Sequence, residues 1–218
     1  MNKIISIEEA VDKIKDGMTI MVGGFLGCGS PHKLIDALVD KGTKNLTLIC
    51  NDSGFMDIGV GKLVVNKQIK KLIASHIGTN AETGKQMNSG EMEVVLVPQG
   101  TLAEQVRAGG AGLGGFLTPT GIGTLVEEGK EKIIIDGITY LLELPLKADV
   151  ALIAGQIADK FGNIVYDGAT RNFNNLMATA ADIVIIEAES IAEIGDINPN
   201  HVVTPGIFID YIVNGGGQ

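Results

Sequence analysis

Residues 16–31 read Asp-Gly-Met-Thr-Ile-Met-Val-Gly-Gly-Phe-Leu-Gly-Cys-Gly-Ser-Pro, and this stretch constrains the rest of the chain most. Residues 18–22 are an apolar run that predicts a buried strand, and residues 23–29 a glycine-rich turn. A helix is then expected, with Ser30 as N-cap and Pro31 at the first helical position, where its missing N–H costs nothing. Leu34, Ile35, Leu38 and Val39 recur with helical period, and Gly42 is placed to end the element. Glycines at the carboxyl end of a strand and the start of a helix clear side chains from the loop. Its backbone N–H groups are then able to face an oxyanion or a phosphate, helped by the helix dipole. A tight packing turn would use the same residues. The pattern is neither the dinucleotide G-x-G-x-x-G nor the phosphate loop G-x-x-x-x-G-K-[ST]. Thr83-Gly84-Lys85 lacks the flanking residues of the latter as well.

Ser6-Ile7-Glu8-Glu9 spells a capping box at the head of a first helix. Further apolar runs at residues 46–50, 70–75 and 94–97 predict strands, the last followed by a helix from Thr101 with Glu104 as its capping acid. Continuous apolar strands alternating with helices argue for an α/β fold with an open, mostly parallel sheet covered on both faces. Such a sheet places active groups in loops beyond the strand carboxyl ends. Here those loops are residues 23–29, 51–54, 76–80 and 98–100. Residues 109–124, rich in Gly, Thr and Pro, read as a lining or interface loop. A hairpin is expected around Asp136-Gly137, with strands at 133–136 and 139–142. A strand at 150–154, a turn at 159–163, a helix near 174–180 and strands at 183–187 and 207–213 follow. Gly215, Gly216, Gly217 and Gln218 read as a frayed tail. No internal repeat and no domain boundary is evident, so residues 1–218 are expected to form one domain.

The 218 residues are 45% hydrophobic and 20% charged, which suits a globular chain with a filled core. A net charge of −9 argues against nucleic acid or an anionic membrane as partner. Neither a signal-peptide-like apolar start nor a bilayer-length apolar run is present, so a cytoplasmic location is expected. Cys28 and Cys50 read as small reduced packing residues. The three His and two Cys show no metal-ligand spacing, and no metal is expected.

The run from Asp16 to Pro31 meets every position of D-G-x-x-[apolar]3-G-G-F-x-x-x-G-x-P. It resembles the signature of the small, alpha subunit of the family I, 3-oxoacid-type CoA-transferases. The resemblance extends over nearly the whole chain, through Ile73-Ala74-Ser75-His76-Ile77-Gly78, Pro98-Gln99-Gly100-Thr101-Leu102-Ala103-Glu104, Arg107-Ala108-Gly109-Gly110-Ala111-Gly112, Thr118-Pro119-Thr120-Gly121 and Arg171-Asn172-Phe173-Asn174. It is most similar to the bacterial acetate/acetoacetate and butyrate–acetoacetate type, whose alpha and beta subunits are separate chains.

The resemblance implies a CoA-transferase-like three-layer fold and a ping-pong transfer of CoA between short-chain carboxylic acids. CoA and acyl-CoA are then substrates, with no tightly bound cofactor. The nucleophile implied is a glutamate in a Ser-Glu-Asn-Gly motif of the beta subunit. This chain has no such motif, and its nearest string is Ala188-Glu189-Ser190. Half an active site is therefore expected, completed by a beta subunit in an α2β2 assembly. A same-fold acyl-CoA hydrolase, a sugar-phosphate isomerase or a ligand-sensing regulator are the alternatives.

Gln99 resembles the family's oxyanion-hole glutamine; by its residue type alone it also reads as a polar loop residue. Gly23, Gly24, Phe25, Leu26, Gly27, Cys28 and Gly29 would bring backbone to the CoA or acyl group, with Phe25 either packing on it or joining the core. Asn51 would orient a substrate carboxylate or serve as a turn former, and Gly78 falls in a substrate loop. His76 reads as a hydrogen-bonding strand-end residue, and Arg171, Asn172 and Asn174 as structural. Lys33, Lys62, Lys67, Lys70 and Lys71 read as a solvated face rather than a phosphate site.

Overall fold

The computed structural model describes residues 3–216. Ser6 opens α1 (Ile7–Val11): its hydroxyl accepts from the Glu9 N–H while the Glu9 carboxylate accepts from the Ser6 N–H. The chain continues through β1 (Thr19–Val22), α2 (His32–Lys41), β2 (Leu46–Ile49), α3 (Gly61–Val65), β3 (Ile69–Ala74), α4 (Ala81–Ser89), β4 (Glu93–Leu96) and α5 (Gln99–Gly110). Then come β5 (Phe116–Thr118), β6 (Lys132–Ile135), β7 (Ile138–Glu143), β8 (Ala148–Asp159), β9 (Ile164–Val165), α6 (Asn174–Met177), β10 (Ala181–Ala192) and β11 (Tyr211–Asn214).

Seven strands form a parallel sheet in the order β11-β10-β8-β1-β2-β3-β4, and β9 adds to β8 in antiparallel sense. The continuous apolar runs follow from burial on both faces. Ile20, Val22, Leu48, Val150 and Leu152 pack toward α1, α2 and α3. Met21, Ile49, Ala151 and Ile153 pack toward α5 and α6. Burying each Val, Leu, Ile or Met side chain contributes on the order of 1.5–3 kcal/mol of transfer free energy, so both helical layers add to stability. The result is the three-layer α/β arrangement expected.

β1 lies between β2 and β8. The chain leaves it on one side through β2 and returns on the other through β8, which makes β1 the switch point of the sheet. Loops at the carboxyl ends of strands diverge there and leave a crevice. The glycine loop follows β1 directly and so lies at that crevice.

Several boundaries differ from expectation. The first residue of α2 is His32 and the N-cap position is Pro31, without a side-chain cap, so Ser30 is not the cap. Gly42 does end α2, in the left-handed region at φ +73°. Helix α5 begins at Gln99 rather than Thr101, and no side chain caps it; Glu104 pairs instead with Arg107. Residues 206–208 form a 3₁₀ turn, which shortens the last strand to Tyr211–Asn214. The Gly215 N–H donates to Ala188 O at 2.7 Å, so that residue is held rather than frayed. Gly217 and Gln218 lie outside the described residues.

Residues 109–124 are not one loop. Gly109 and Gly110 close α5, and Phe116–Thr118 is a strand of a second, three-stranded antiparallel sheet, β5-β7-β6. The Asp136-Gly137 hairpin turn has φ of +51° and +77° at its two central residues, the type I′ geometry that such a pair favours. Glu143 ties this sheet to α5: buried, it accepts from Gln105 Nε2 at 3.0 Å and pairs with Lys130 Nζ at 2.5 Å.

Candidate active site

The glycine loop folds back on itself as soon as it leaves β1. Phe25 and Cys28 exchange both backbone hydrogen bonds at 2.9 Å around a turn with Leu26 and Gly27 at φ +49° and +87°. A leucine in the left-handed region costs roughly 1–2 kcal/mol. Asp52, at the end of β2, holds it there: its Oδ2 accepts the Leu26 N–H at 3.0 Å. Asn172 clamps the loop from the other side, accepting from Gly24 N at 3.1 Å and donating to Cys28 O at 3.0 Å. Asn174 donates to Gly29 O at 2.9 Å and accepts from Ala154 N at 3.0 Å. Asn172 and Asn174 are thus structural, as expected; Arg171 lies beside them in a 3₁₀ turn.

The protein's own packing requires the glycines. A Cβ on Gly23 would lie 1.8 Å from Asn174 Oδ1, one on Gly24 2.0 Å from Ser30 Oγ, and one on Gly29 2.3 Å from the Thr170 carbonyl. The missing side chains make room for the protein's own packing, and Gly23 and Gly24 are buried. What reaches the surface is the tip, Phe25 and Cys28, with Leu26 and Gly27 half-buried. Phe25 is not a core residue, being 47% exposed. Cys28 is exposed too, which removes its packing role. Cys50 is buried, and desolvation together with the neighbouring Asp52 carboxylate pushes its thiol well above the usual range.

Gln99 sits at the first position of α5, exposed, with its amide fixed by two neighbours. Asn51 Nδ2 donates to the Gly24 carbonyl at 2.7 Å, so Asn51 Oδ1 must face Gln99. Gln99 Nε2 therefore donates to Asn51 Oδ1, at 2.7 Å, and its Oε1 faces the Ser75 hydroxyl. Ser75 has one proton for Gln99 Oε1 and Asn51 O, both within its reach. Only one hydrogen on Gln99 Nε2 is engaged by Asn51; the other is a donor on a pre-aimed amide. Asn51 itself is 1% exposed with both ends of its amide used, so it positions Gln99 and the loop.

The residue after Asn51 does a second piece of the same work. Asp52 is buried; besides Leu26 N it accepts the Gly54 N–H, through Oδ1, at 2.8 Å. Gly78 is exposed against the His76 ring, and the His76 carbonyl accepts from Ser53 N at 3.1 Å. A void of only about 10 Å³ lies beneath the loop, bordered by Gly24, Leu26, Cys50 and Asp52. Larger cavities lie elsewhere, about 350 Å³ beside Arg107 and Phe208 and about 470 Å³ beside Gly17 and Lys70 at the opposite end of the strands. Lys62, Lys67 and Lys71 are paired with Asp36, Glu91 and Glu93, which fits a solvated face.

The start of α2, lacking a local cap, is capped from across the fold. Glu187 on β10 accepts the Leu34 N–H at 2.9 Å, and burial pushes its carboxyl above the usual carboxylate range. Sequence reasoning placed Gln99 and Asn51 in neighbouring loops but missed Ser75, Asp52 and Glu187 as partners. The first two end or follow strands among the same loops, a signal available in the sequence; nothing local pointed to Glu187. Among the described residues no group of His, Cys, Asp and Glu could hold a metal ion, and no helix is long and apolar enough to cross a membrane.

Comparison with known proteins places this arrangement. Residues 4–215 match the family described as Coenzyme A transferase. The chain is 57% identical over 211 residues to the acetate CoA-transferase subunit alpha of Escherichia coli strain K12, covering 97% of this chain and 96% of that one. It is 57% identical over 212 residues to the acetoacetyl-CoA:acetate/butyrate CoA transferase alpha subunit of Clostridium acetobutylicum, covering 97% of each. Among solved structures, an acyl-CoA transferase of E. coli O157:H7, determined as a thioester complex with CoA, superposes with a TM-score of 0.90 at 24% identity. That match covers 98% of this chain and 47% of the other, so the chain spans about half of that protein's length while sharing its fold. With a family match over nearly its whole length, the chain belongs to the coenzyme A transferase family.

Proposed function

We propose that this chain is the alpha subunit of a short-chain acyl-CoA:carboxylate CoA-transferase of the acetate, acetoacetate and butyrate type. It would work in the cytoplasm as an α2β2 complex with a beta subunit. The observation that carries this reading is the Gln99 amide, held by Asn51 and Ser75 beyond the carboxyl ends of the strands with one N–H left to give.

A glutamate carboxylate on the beta subunit attacks the thioester carbonyl of the acyl-CoA, and the carbonyl oxygen takes the negative charge. Gln99 Nε2–H is the donor this chain aims at that oxyanion; such a donor commonly accounts for about 10²–10³ in rate. Collapse expels CoA thiolate and leaves an acyl-glutamyl anhydride. The thiolate then attacks the glutamyl carbonyl, releasing the first carboxylate and forming a glutamyl-CoA thioester. The acceptor carboxylate runs these steps in reverse, and the glutamyl carbonyl stays activated in both covalent intermediates, first as anhydride and then as thioester. The lack of a Ser-Glu-Asn-Gly motif and the roughly 10 Å³ void beneath the loop support a half-site, since a ligand pocket needs roughly 300–1,000 Å³. No tightly bound cofactor is needed for these steps.

The test is covalent trapping. The two-subunit complex, incubated with acetoacetyl-CoA and reduced with borohydride, should carry a reduced glutamyl residue on the partner chain. A reduced glutamate on this chain would overturn the half-site reading.

A further inference from the structure

The glycine loop has a twin. Gly24-Phe25-Leu26-Gly27-Cys28-Gly29 after β1 is echoed by Gly54-Phe55-Met56-Asp57-Ile58-Gly59 after β2, a G-F-x-x-x-G repeat too short and too diverged to register as an internal repeat in the sequence. The fold makes the correspondence plain. Phe55 and Ile58 bridge in antiparallel sense across a two-residue turn, as Phe25 and Cys28 do. The first glycines have φ of +119° and +65°, and the last +68° and +56°. Positive φ at these four glycines flanks both turns, although the central pair has positive φ only in the first, at Leu26 and Gly27.

The two turns lie side by side. A Cβ on Gly27 would lie 3.2 Å from Ile58 Cδ1, and one on Gly59 3.6 Å from Ser30 Oγ. Asp52 fastens them together, one carboxylate oxygen on Leu26 N and the other on Gly54 N. Its neighbour Asn51 fastens the first turn to Gln99. One dipeptide at the end of β2 therefore holds both turns and the oxyanion donor as a single unit. The tips stay apolar and open: Phe25, Phe55 and Met56 are 47%, 42% and 48% exposed, with Ile58 close behind and Asp57 the one charge between them.

Resting on the proposed function, we infer that the second turn is a specificity element of the same site: Phe55 and Met56, with Phe25 of the first turn, hold the hydrocarbon chain of the acyl group. Acetate and butyrate differ by two methylenes. Each methylene removed from water is worth about 0.8 kcal/mol, or roughly fourfold in kcat/KM. Two half-exposed side chains on a turn that Asp52 ties to the glycine loop are placed to read that difference, whereas Gln99, which touches only the carbonyl end, is not.

The experiment uses the complex with the beta subunit, acetoacetyl-CoA as donor, and acetate, butyrate or hexanoate as acceptor. Phe55→Ala and Met56→Ala should each lower the butyrate-to-acetate ratio of kcat/KM by about fivefold and the hexanoate-to-acetate ratio by more. Phe55→Leu, which keeps apolar bulk, should retain most of the wild-type ratio. Ratios within about twofold of wild type for both alanine variants in the assembled complex would overturn the inference, as would an equal loss with every acceptor. Failure of these variants to co-purify with the beta subunit would overturn it as well, because the tips would then be a subunit contact. A wild-type complex that transfers no CoA would instead defeat the proposed function itself.

Discussion

Asn51 Oδ1 and Gln99 Nε2 meet at 2.7 Å in a hydrogen bond that can run only one way, because Asn51 gives its own Nδ2 to the Gly24 carbonyl. A buried amide thus sets the orientation of an exposed one, and the loop after β1 is wired to the head of α5. Gln99→Ala should leave assembly intact and lower turnover roughly 10²-fold. Steady-state rates on the purified complex check this, and unchanged turnover would remove Gln99 from the oxyanion hole.

Asn51→Asp probes the same wiring from beneath. A carboxylate cannot donate to Gly24 O, and at 1% exposure it would be buried against that carbonyl. A loss of about 1–3 kcal/mol in stability is expected from the unsatisfied pair, together with a fall in kcat larger than any rise in KM. Denaturant melts and kinetics on the same sample separate the two effects. Full stability would mean that the Gly24 contact carries little.

Glycine content in the loop also makes a prediction, through contrast. Gly23→Ala drives a Cβ to 1.8 Å from Asn174 Oδ1, whereas a Cβ on Gly84, inside α4, would meet nothing within 4 Å. Gly23→Ala should destabilise the fold and Gly84→Ala should raise stability by about 0.5–1 kcal/mol. Thermal melts of the two variants should move in opposite directions.

Glu187 gives the fold a pH dependence. Burial raises its folded-state pKa, so the folded protein binds its proton more tightly than the unfolded chain does. Its contribution is therefore fully present below the ordinary carboxylate value of 4.5 and is lost as pH rises from there through the raised value. Glu187→Gln keeps an oxygen for the Leu34 N–H and removes the charge. Unfolding curves across roughly pH 4–8 should show a smaller decline for the variant than for the wild type, and parallel curves would contradict this account.

What the sequence made legible was what local pattern controls. The apolar runs located the strands of the parallel sheet, the Ser6–Glu9 box the first helix, and the family signature the glycine loop. The misreadings share one physical cause, contacts between residues far apart in the chain. Ser30 looked like a cap, but α2 is capped by Glu187, 153 residues on from Leu34. The packing need for glycine at Gly23 and Gly29 was hidden in the same way, since it comes from Asn174 and Thr170. The hold of Asn51 on Gly24 and Gln99 was hidden as well, because neither partner is near it in the chain. The twin turn is too short to register in the sequence, and only its side-by-side packing with the first gives it meaning.

The central claim is that this chain carries half of a CoA-transferase site. The direct measurement is acetoacetyl-CoA consumption with acetate as acceptor, by the chain alone and by the chain co-purified with its beta subunit. The account predicts turnover in the complex and none above background from the chain alone. Turnover by the chain alone would contradict it, because the nucleophile would then have to be one of its own residues.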